Sequence, residues 1–451
     1  MVFGAGISGI AAAGLLMRHG GRVLLYDANP SGELTAGVVR NKLNCHGECE
    51  ILLGKFSDCF SEDTLLEIAE VVLSPGVPLD LPDVIKIKDA GIPIIGEIEL
   101  AYRFEKGRVF AITGTNGKTT TTALLGEIMR GAFKDVFVVG NIGLAYTIIA
   151  DNTSDDSVTV AELSSFQLET TDMFHPAVSA ILNLSPDHLD RHHTMEAYIS
   201  AKKRIALMQN NNETIVLNYE DELIRELAKD LIPKIIWFSS LRVLKKGLFL
   251  RNDEIIWRPN DEGEEYVICT TDELQILGTH NHENVMAAAG MALSGGVPLE
   301  IVRKQILGFK GVEHRIEFVT EKNGVAWYND SKGTNPDAAI KGISAMNRPT
   351  VLIGGGYDKD SEYTDWIKSF NGKVKKLILI GQTKEKIARD ARNVGFTDYV
   401  FADGFDEAVF LAAKTAKEGE AVLLSPACAS WDMFRSFEIR GNRFKELISE
   451  M

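Results

Sequence analysis

The stretch Arg108-Val-Phe-Ala-Ile-Thr-Gly-Thr-Asn-Gly-Lys-Thr-Thr120 reads as strand, glycine loop and helix in immediate succession. Its β-branched and aromatic run breaks at Thr113-Gly114, and Gly117-Lys118-Thr119 opens a helical pattern carried by Thr122, Leu124, Leu125, Ile128 and Met129. Backbone N–H groups at such a turn, together with the positive end of the helix, surround a polyphosphate. Lys118 adds a point charge for the outer phosphates and Thr119 a hydroxyl for Mg²⁺. Gly114, Thr115, Asn116, Gly117, Lys118, Thr119 and Thr120 are therefore the expected polyphosphate-binding residues. The strict phosphate-loop pattern asks for a glycine where Ile112 stands; Gly114 supplies the flexible turn one strand-end later.

Downstream, three buried-type strands each end in polar residues. Val136-Phe-Val-Val-Gly140 leads to Asn141, Val158-Thr-Val-Ala-Glu162 leads to Ser164 and Gln167, and the run from Val178 to Leu184 leads to Asp187-His188-Leu-Asp-Arg-His-His193. In a parallel sheet the chemistry gathers at the carboxyl ends of strands, so Glu162 is placed as a Mg²⁺ ligand and the His and Asp cluster as part of the same site. Lys202-Lys203-Arg204 lies on a helix and, by composition, reads as a solvated basic face. Asn281 and Asn284, three apart on another helix, share a face able to read the edge of a base.

Upstream, Gly4-Ala-Gly6-Ile7-Ser8-Gly9, a helical pattern and a second strand ending at Asp27 match a dinucleotide fold. Its glycines admit a pyrophosphate and its acid takes a ribose hydroxyl, NAD being the usual ligand. Only Met1-Val-Phe3 precede the first glycine, so either this strand is truncated or the natural start lies upstream. Val71-Val-Leu-Ser74-Pro-Gly76 makes a second lip of that cleft. The last segment alternates strands and helices, which predicts another parallel α/β domain. Asp330-Ser-Lys332-Gly-Thr334, Gly354 to Lys359 and Ser425 to Asp432 follow its strands, and Arg315 is expected to reach the phosphates. Cys428 has no readable activating partner and is not expected to be a nucleophile.

Bulk properties set the frame. A length of 451 residues and 45% hydrophobic content suit three domains, expected over 1–93, 94–310 and 311–451. A net charge of −15 argues against nucleic acid or an anionic membrane as partner. Five cysteines form no disulfide framework, which fits a reducing cytoplasm, and Cys45-His46 with Cys49 is read as structural rather than metal-binding. The apolar opening lacks a basic flank and is broken by glycines, and no run reaches the roughly 20 residues of a membrane span.

Gly114-Thr-Asn-Gly-Lys-Thr-Thr120, Gly140-Asn-Ile-Gly143, Glu162-Leu-Ser-Ser-Phe-Gln-Leu-Glu169, Asp187-His-Leu-Asp-Arg191 and His280-Asn-x-x-Asn284, in this order and over essentially the whole chain, resemble the Mur ligase family. The resemblance implies three α/β domains: a Rossmann-like N-terminal domain binding a UDP substrate, a central phosphate-loop ATPase with a parallel sheet, and a Rossmann-like C-terminal domain binding an amino acid. It implies ATP and two Mg²⁺ ions, with Lys118, Asp187, His188 and Lys202 catalytic. Thr119, Glu162, His188 and Lys202, the last as a carbamate, would ligate metal, because an unmodified Lys⁺ would repel it. Asn281 and Asn284 would face adenine, while Arg315, Asp330 and Lys332 would serve the nucleotide phosphates. Ile7, Ser8, Gly9, Asp27, Ser74, Gly76, Asn141, Ser164 and Gln167 would bind the UDP substrate.

Asp330-Ser-Lys-Gly-Thr-Asn335 and Leu424-Ser-Pro-Ala-Cys-Ala-Ser-Trp-Asp432, followed by Phe437 and Arg440-Gly-Asn, are similar to the D-glutamate-adding branch of that family. By that match Thr334, Lys359, Ser430 and Phe437 would bind D-glutamate. The implied reaction joins it to UDP-N-acetylmuramoyl-L-alanine through an acyl phosphate, in peptidoglycan precursor synthesis, by a monomer in the cytoplasm. One departure is that Asp27 is followed by Ala28-Asn29, without the hydroxyl often found there. Other classes explain less: a nicotinamide dehydrogenase leaves the phosphate loop idle, and a nucleotide switch leaves the second nucleotide fold and the last-segment motifs unexplained. A folate polyglutamylating ligase is a closer relative, but the Gly-x-Gly-x-x-Gly start speaks against it.

Overall fold

In the computed structural model, residues 1–28, 35–43, 47–261 and 263–451 are described; Asn29, Cys45 and His46, singled out in the sequence, lie outside them. The chain divides into two compact units, Met1–Cys269 with Glu283–Ile306, and Thr270–His282 with Leu307–Met451. Among the described residues no helix is long and apolar enough to cross a membrane.

The first unit holds two sheets. One is five-stranded: β1 (Val2–Phe3), β2 (Val23–Asp27), β3 (Cys49–Leu53), β4 (Val71–Leu73) and β5 (Ile94–Gly96), ordered β3-β2-β1-β4-β5. Every neighbouring pair is parallel. The strand expected to be short is so: β1 has two residues, yet it is central and fully buried, flanked by β2 and β4.

The other sheet has nine strands: β6 (Arg108–Thr113), β7 (Val136–Gly140), β8 (Val158–Glu162), β9 (Val178–Ile181), β10 (Thr214–Asn218), β11 (Lys234–Ser239), β12 (Gly247–Arg251), β13 (Glu254–Arg258) and β14 (Tyr266–Thr270). Their order is β14-β13-β12-β11-β10-β9-β6-β8-β7. β6 pairs in parallel with β8 on one side and β9 on the other, so the loop after β6 sits where the strand order reverses, the place where open α/β sheets bind ligands. β12 and β13 turn antiparallel.

Three carboxylates on or beside the helix Glu97–Tyr102 tie the segment after β5 to the larger sheet's surroundings. Glu97 accepts from the amide and hydroxyl of Thr147, each at 2.7 Å; Glu99 accepts from the amides of Asp172 (2.8 Å) and Met173 (3.0 Å); Glu105 accepts from Tyr146 and Thr159, each at 2.7 Å. Both sheets share one continuous apolar core that runs from Val2, Ala12 and Leu25 to Ala111, Ala161 and Ile181.

In the second unit, β15 (Glu317–Lys322), β16 (Val325–Asn329), β17 (Thr350–Gly355), β18 (Val374–Ile380), β19 (Tyr399–Phe401) and β20 (Ala421–Leu424) are ordered β15-β16-β20-β17-β18-β19. Only β15 is antiparallel to its neighbour. Alternate side chains feed two cores, Leu352, Leu377 and Leu423 on one face and Val351, Ile378 and Val422 on the other. The chain is thus a three-sheet α/β protein, as expected.

Glu99 is completely buried and satisfies two backbone donors besides approaching Arg103 at 3.4 Å. Glu99→Ala strands those two backbone donors, while Arg103 keeps its pair with Glu70 at 2.8 Å, so it is expected to destabilise the first unit by about 3 kcal/mol. A calorimetric scan in which Glu99→Ala melts with the wild type would contradict this role.

Candidate active site

The loop after β6 is shaped by two glycines in conformations other residues avoid, Gly114 at φ +151° and Gly117 at φ +83°. Space forbids side chains there as well: a Cβ on Gly114 would stand 3.1 Å from Leu182, and one on Gly117 would stand 2.3 Å from Asn284 Oδ1. The helix Lys118–Ala132 starts directly behind them, with Thr119 and Thr120 buried in its first turn. Lys118 curls back over the loop, its ammonium donating to the carbonyls of Gly114 and Thr115, both at 2.9 Å.

Lys202 is where composition misled. The helix Met195–Lys203 does not present it to solvent: only 2% of Lys202 is exposed, while the adjacent Lys203 points outward to Asp230. The Lys202 ammonium donates to the Gly114 carbonyl at 2.8 Å and lies 4.7 Å from the centre of the Tyr198 ring. Burial, reinforced by the charge of Lys118 and opposed by Asp187, brings it down to about 7. At neutral pH a large fraction is thus an uncharged amine.

At the end of β8, Glu162 is 1% exposed. Its Oε1 accepts from Asn141 Nδ2 at 2.9 Å, and its Oε2 is buried without a hydrogen-bond partner. An orphaned carboxylate oxygen at a strand's carboxyl end, on the neighbour of the phosphate-loop strand, is the chemistry a Mg²⁺ ion would satisfy. His188 stands at φ +54°, half-exposed, with Asp187 Oδ2 3.5 Å from its Nε2. Among the described residues no group of three or more His, Cys, Asp or Glu side chains is arranged to hold a metal. The predicted ligand set contains only two such residues, the others being a hydroxyl and a modified lysine.

Several of the other predicted residues already have protein partners. Asp27 Oδ2 accepts from the amide of Ala5 at 2.8 Å, and Ser74 donates to the carbonyl of Gly4 at 3.1 Å, so both brace the first glycine turn. Gly9 is obligatory, since a Cβ there would lie 1.7 Å from the Gly4 carbonyl oxygen. Gly6 and Gly76 face open space, and Ile7 is 81% exposed beside them, with Ser8 next in the same helix Ile7–Arg18. Ser164 and Gln167 cap each other around the short helix Ser165–Leu168. Asn284 accepts from Thr121 at 3.2 Å against the phosphate loop, and Asn281 donates to the carbonyl of Leu277 at 2.6 Å.

In the second unit Arg315 precedes β15 and Asn281 lies on the helix Thr279–Ser294, while the other predicted residues follow β16, β20 and β17, three adjacent strands. Asp330 is buried and accepts from Ser425 at 2.7 Å; burial raises it to about 7, against the hydrogen bond from Ser425 and the nearby charge of Arg315. Lys332 lies 5.8 Å from the Phe437 ring, and Lys359 lies 4.6 Å from the Trp431 ring, beside buried Ser430. Thr334 donates its amide to the Lys332 carbonyl at 2.8 Å. Arg440 is wholly buried and donates to Ser331 and to the carbonyl of Cys428. Burial pushes the Cys428 thiol up, in keeping with a structural cysteine.

Comparison with known proteins completes the picture. Family models match residues 1–96 (Mur ligase MurD-like, N-terminal domain), 112–292 (Mur ligase middle domain) and 314–428 (Mur ligase, glutamate ligase domain). The chain belongs to the Mur ligase family. Among Mur ligases, it is 55% identical over 99% of its length to 97% of the UDP-N-acetylmuramoylalanine--D-glutamate ligase of Lachnoclostridium phytofermentans. It is 50% identical over its full length to 98% of the protein of the same name from Lachnospira eligens. The solved UDP-N-acetylmuramate-alanine ligase of Thermotoga maritima shares the fold, with a TM-score of 0.58 at 20% identity, covering 100% of this chain and 98% of that one.

The depressed Lys202 makes stability pH-dependent. Unfolded, it holds its proton up to its ordinary value of 10.5; folded, it releases it near 7. Between those values the unfolded chain binds more protons, so folding is increasingly favoured as pH rises. In CO₂-free buffer the melting temperature of the wild type should gain on that of Lys202→Met from about pH 7 to about pH 10 and hold a constant offset below. Parallel curves throughout would mean that the folded chain keeps the Lys202 proton as tightly as the unfolded one.

Proposed function

We propose that the chain joins D-glutamate to UDP-N-acetylmuramoyl-L-alanine at the expense of ATP, releasing ADP and phosphate, in the assembly of peptidoglycan precursors in the cytoplasm. The reaction class follows from the family, and the substrates follow the printed names of relatives 55% and 50% identical over nearly the whole chain. The observation that carries it is the convergence of Lys118 and Lys202 on the Gly114 carbonyl of the phosphate loop.

A carboxylate is a poor acylating agent because its oxygen is a poor leaving group. Transfer of the terminal phosphoryl group of ATP to the carboxylate of UDP-N-acetylmuramoyl-L-alanine gives an acyl phosphate. The D-glutamate amine attacks its carbonyl carbon, and the tetrahedral intermediate expels phosphate to leave the amide. Most of this is positioning and charge neutralisation. Lys118 would leave the loop carbonyls for the phosphate oxygens, where a well-placed cation typically contributes about 3 kcal/mol. The first turn of the helix behind the loop, with Thr119 and Thr120, would direct its N–H groups to the same oxygens. Thr119, Glu162 and His188 would hold Mg²⁺, which neutralises phosphate charge. Lys202, as a carbamate, would meet a second ion; an amine brought down to about 7 is nucleophilic enough to take up CO₂, whereas a lysine cation would repel the metal.

Asn281 and Asn284 would serve the adenine, and Arg315, Asp330 and Lys332 the phosphates. Ile7, Ser8, Gly9, Asp27, Ser74, Gly76, Asn141, Ser164 and Gln167 would line the UDP substrate's path, and Thr334, Lys359, Ser430 and Phe437 would bind D-glutamate. We expect a monomer.

Phosphate release from ATP should require both UDP-N-acetylmuramoyl-L-alanine and D-glutamate; turnover with L-glutamate or lysine at the same rate would defeat the substrate assignment. Lys118→Ala should lower kcat by roughly two orders of magnitude. Lys202→Ala should be inactive, unaffected by bicarbonate and partly restored by short carboxylic acids, and full activity without them would exclude the carbamate.

A further inference from the structure

We propose that Asn183 is a positioning residue for the nucleotide: its side-chain amide pairs with the backbone of Asn116 and holds the phosphate loop in its binding shape. The inference rests on the nucleotide reading of that loop.

Asn183 is the second residue after β9. The amide of Asn116 donates to Asn183 Oδ1 at 2.7 Å, and Asn183 Nδ2 donates back to the Asn116 carbonyl at 3.1 Å. A carboxamide thus imitates a neighbouring peptide, pairing with both polar groups of one loop residue as a strand would. The main chain adds to it: the Thr115 amide donates to the Asn183 carbonyl at 2.9 Å, and the Ser185 amide to Thr115 Oγ1 at 3.0 Å. Asp221 anchors the segment from behind, accepting from the Leu184 amide at 2.6 Å while capping the helix Glu222–Ala228. Gly114 and Gly117 leave the loop free to swivel, and the amide pairing restrains the tip between them.

Two consequences follow for the site. The N–H groups of Thr115 and Asn116 are turned to Asn183, which leaves the first turn of the helix Lys118–Ala132 as the source of phosphate-facing backbone donors. The same segment leads within a few residues to Asp187 and His188, so one side chain sets the phosphate loop against the turn that carries them. An Asn at this place follows from the need for a donor and an acceptor on one short side chain. Asp lacks the donor and puts a charge near a polyphosphate, and Leu or Ala lacks both.

Asn183→Ala and the isosteric Asn183→Asp test this in the full chain. For Asn183→Ala the KM for ATP and the Kd of Mg·ADP, measured by titration calorimetry, should each rise roughly tenfold, about the worth of one hydrogen bond. The KM values for UDP-N-acetylmuramoyl-L-alanine and D-glutamate should stay within about twofold. Asn183→Asp should also bind ATP more weakly, and increasing salt should partly relieve its defect but not that of Asn183→Ala. An unchanged KM for ATP in both variants, or an equal rise in all three KM values, would overturn the assignment; the latter is what a merely structural residue would give. If Asn183→Ala does not fold, Asn183→Asp decides alone by the same criteria. Failure of the wild type to bind Mg·ADP would sink the nucleotide reading itself, which separates the two failures.

Discussion

Two lysine ammonium groups share one backbone oxygen, the carbonyl of Gly114. Burial of Lys202, reinforced by the charge of Lys118, disfavours its ammonium form, and the protein lowers the cost by shedding the Lys202 proton near neutrality. The arrangement suits a polyanion. A triphosphate would give Lys118 a counter-charge, and a carbamate would turn Lys202 from a cation into an anion suited to a metal. The helix start behind Gly117 suits the same polyanion, and the orphaned oxygen of Glu162 at the end of β8 suits a cation beside it.

Such a centre needs a stiff frame. β6 lies between β8 and β9, so the phosphate loop, Glu162 and the segment leading to His188 emerge from three neighbouring strands, and hydrogen bonds across the strand ends fix their relative height. Arg191 extends this bracing. Its guanidinium lies 4.0 Å from the Phe166 ring, pairs with Glu169 at 3.0 Å and donates to the Pro75 carbonyl at 2.9 Å. It thereby ties the turn after β4, expected to meet the UDP substrate, to the helix that begins after His188. Together with Glu97, Glu99 and Glu105, this reinforces the apolar core that the two sheets of the first unit share.

The second unit repeats the parallel α/β plan. Two of its lysines stand beyond strand ends near aromatic rings, Lys332 5.8 Å from Phe437 and Lys359 4.6 Å from Trp431. Arg440 spends its donors on Ser331 and Cys428 and so shapes the loops after β16 and β20 without facing a ligand itself.

Local sequence alone determined much of this protein. Strand, glycine loop and helix over 108–120, the strands ending at Gly140 and Glu162, and the alternating elements of the last segment were all legible, because hydrophobic period and glycine chemistry act over a few residues. The antiparallel β12 and β13 escaped notice because each is only five residues long, and runs so short carry a weak periodic pattern even where, as at Leu248, Phe249, Ile255 and Ile256, the side chains are fully buried. Tertiary structure alone decided which polar groups are buried and what each one holds. Lys202 and Lys203 are adjacent lysines on one helix, and only packing against β6 buries one and hydrates the other. Ser164, Gln167, Asp27 and Ser74, expected from the sequence as ligand contacts, also hold protein atoms, and Asn183 gave no signal until folding set it opposite Asn116. The physical reason is that burial, desolvation and hydrogen-bond pairing depend on what lies across the fold, which a run of neighbouring residues does not encode.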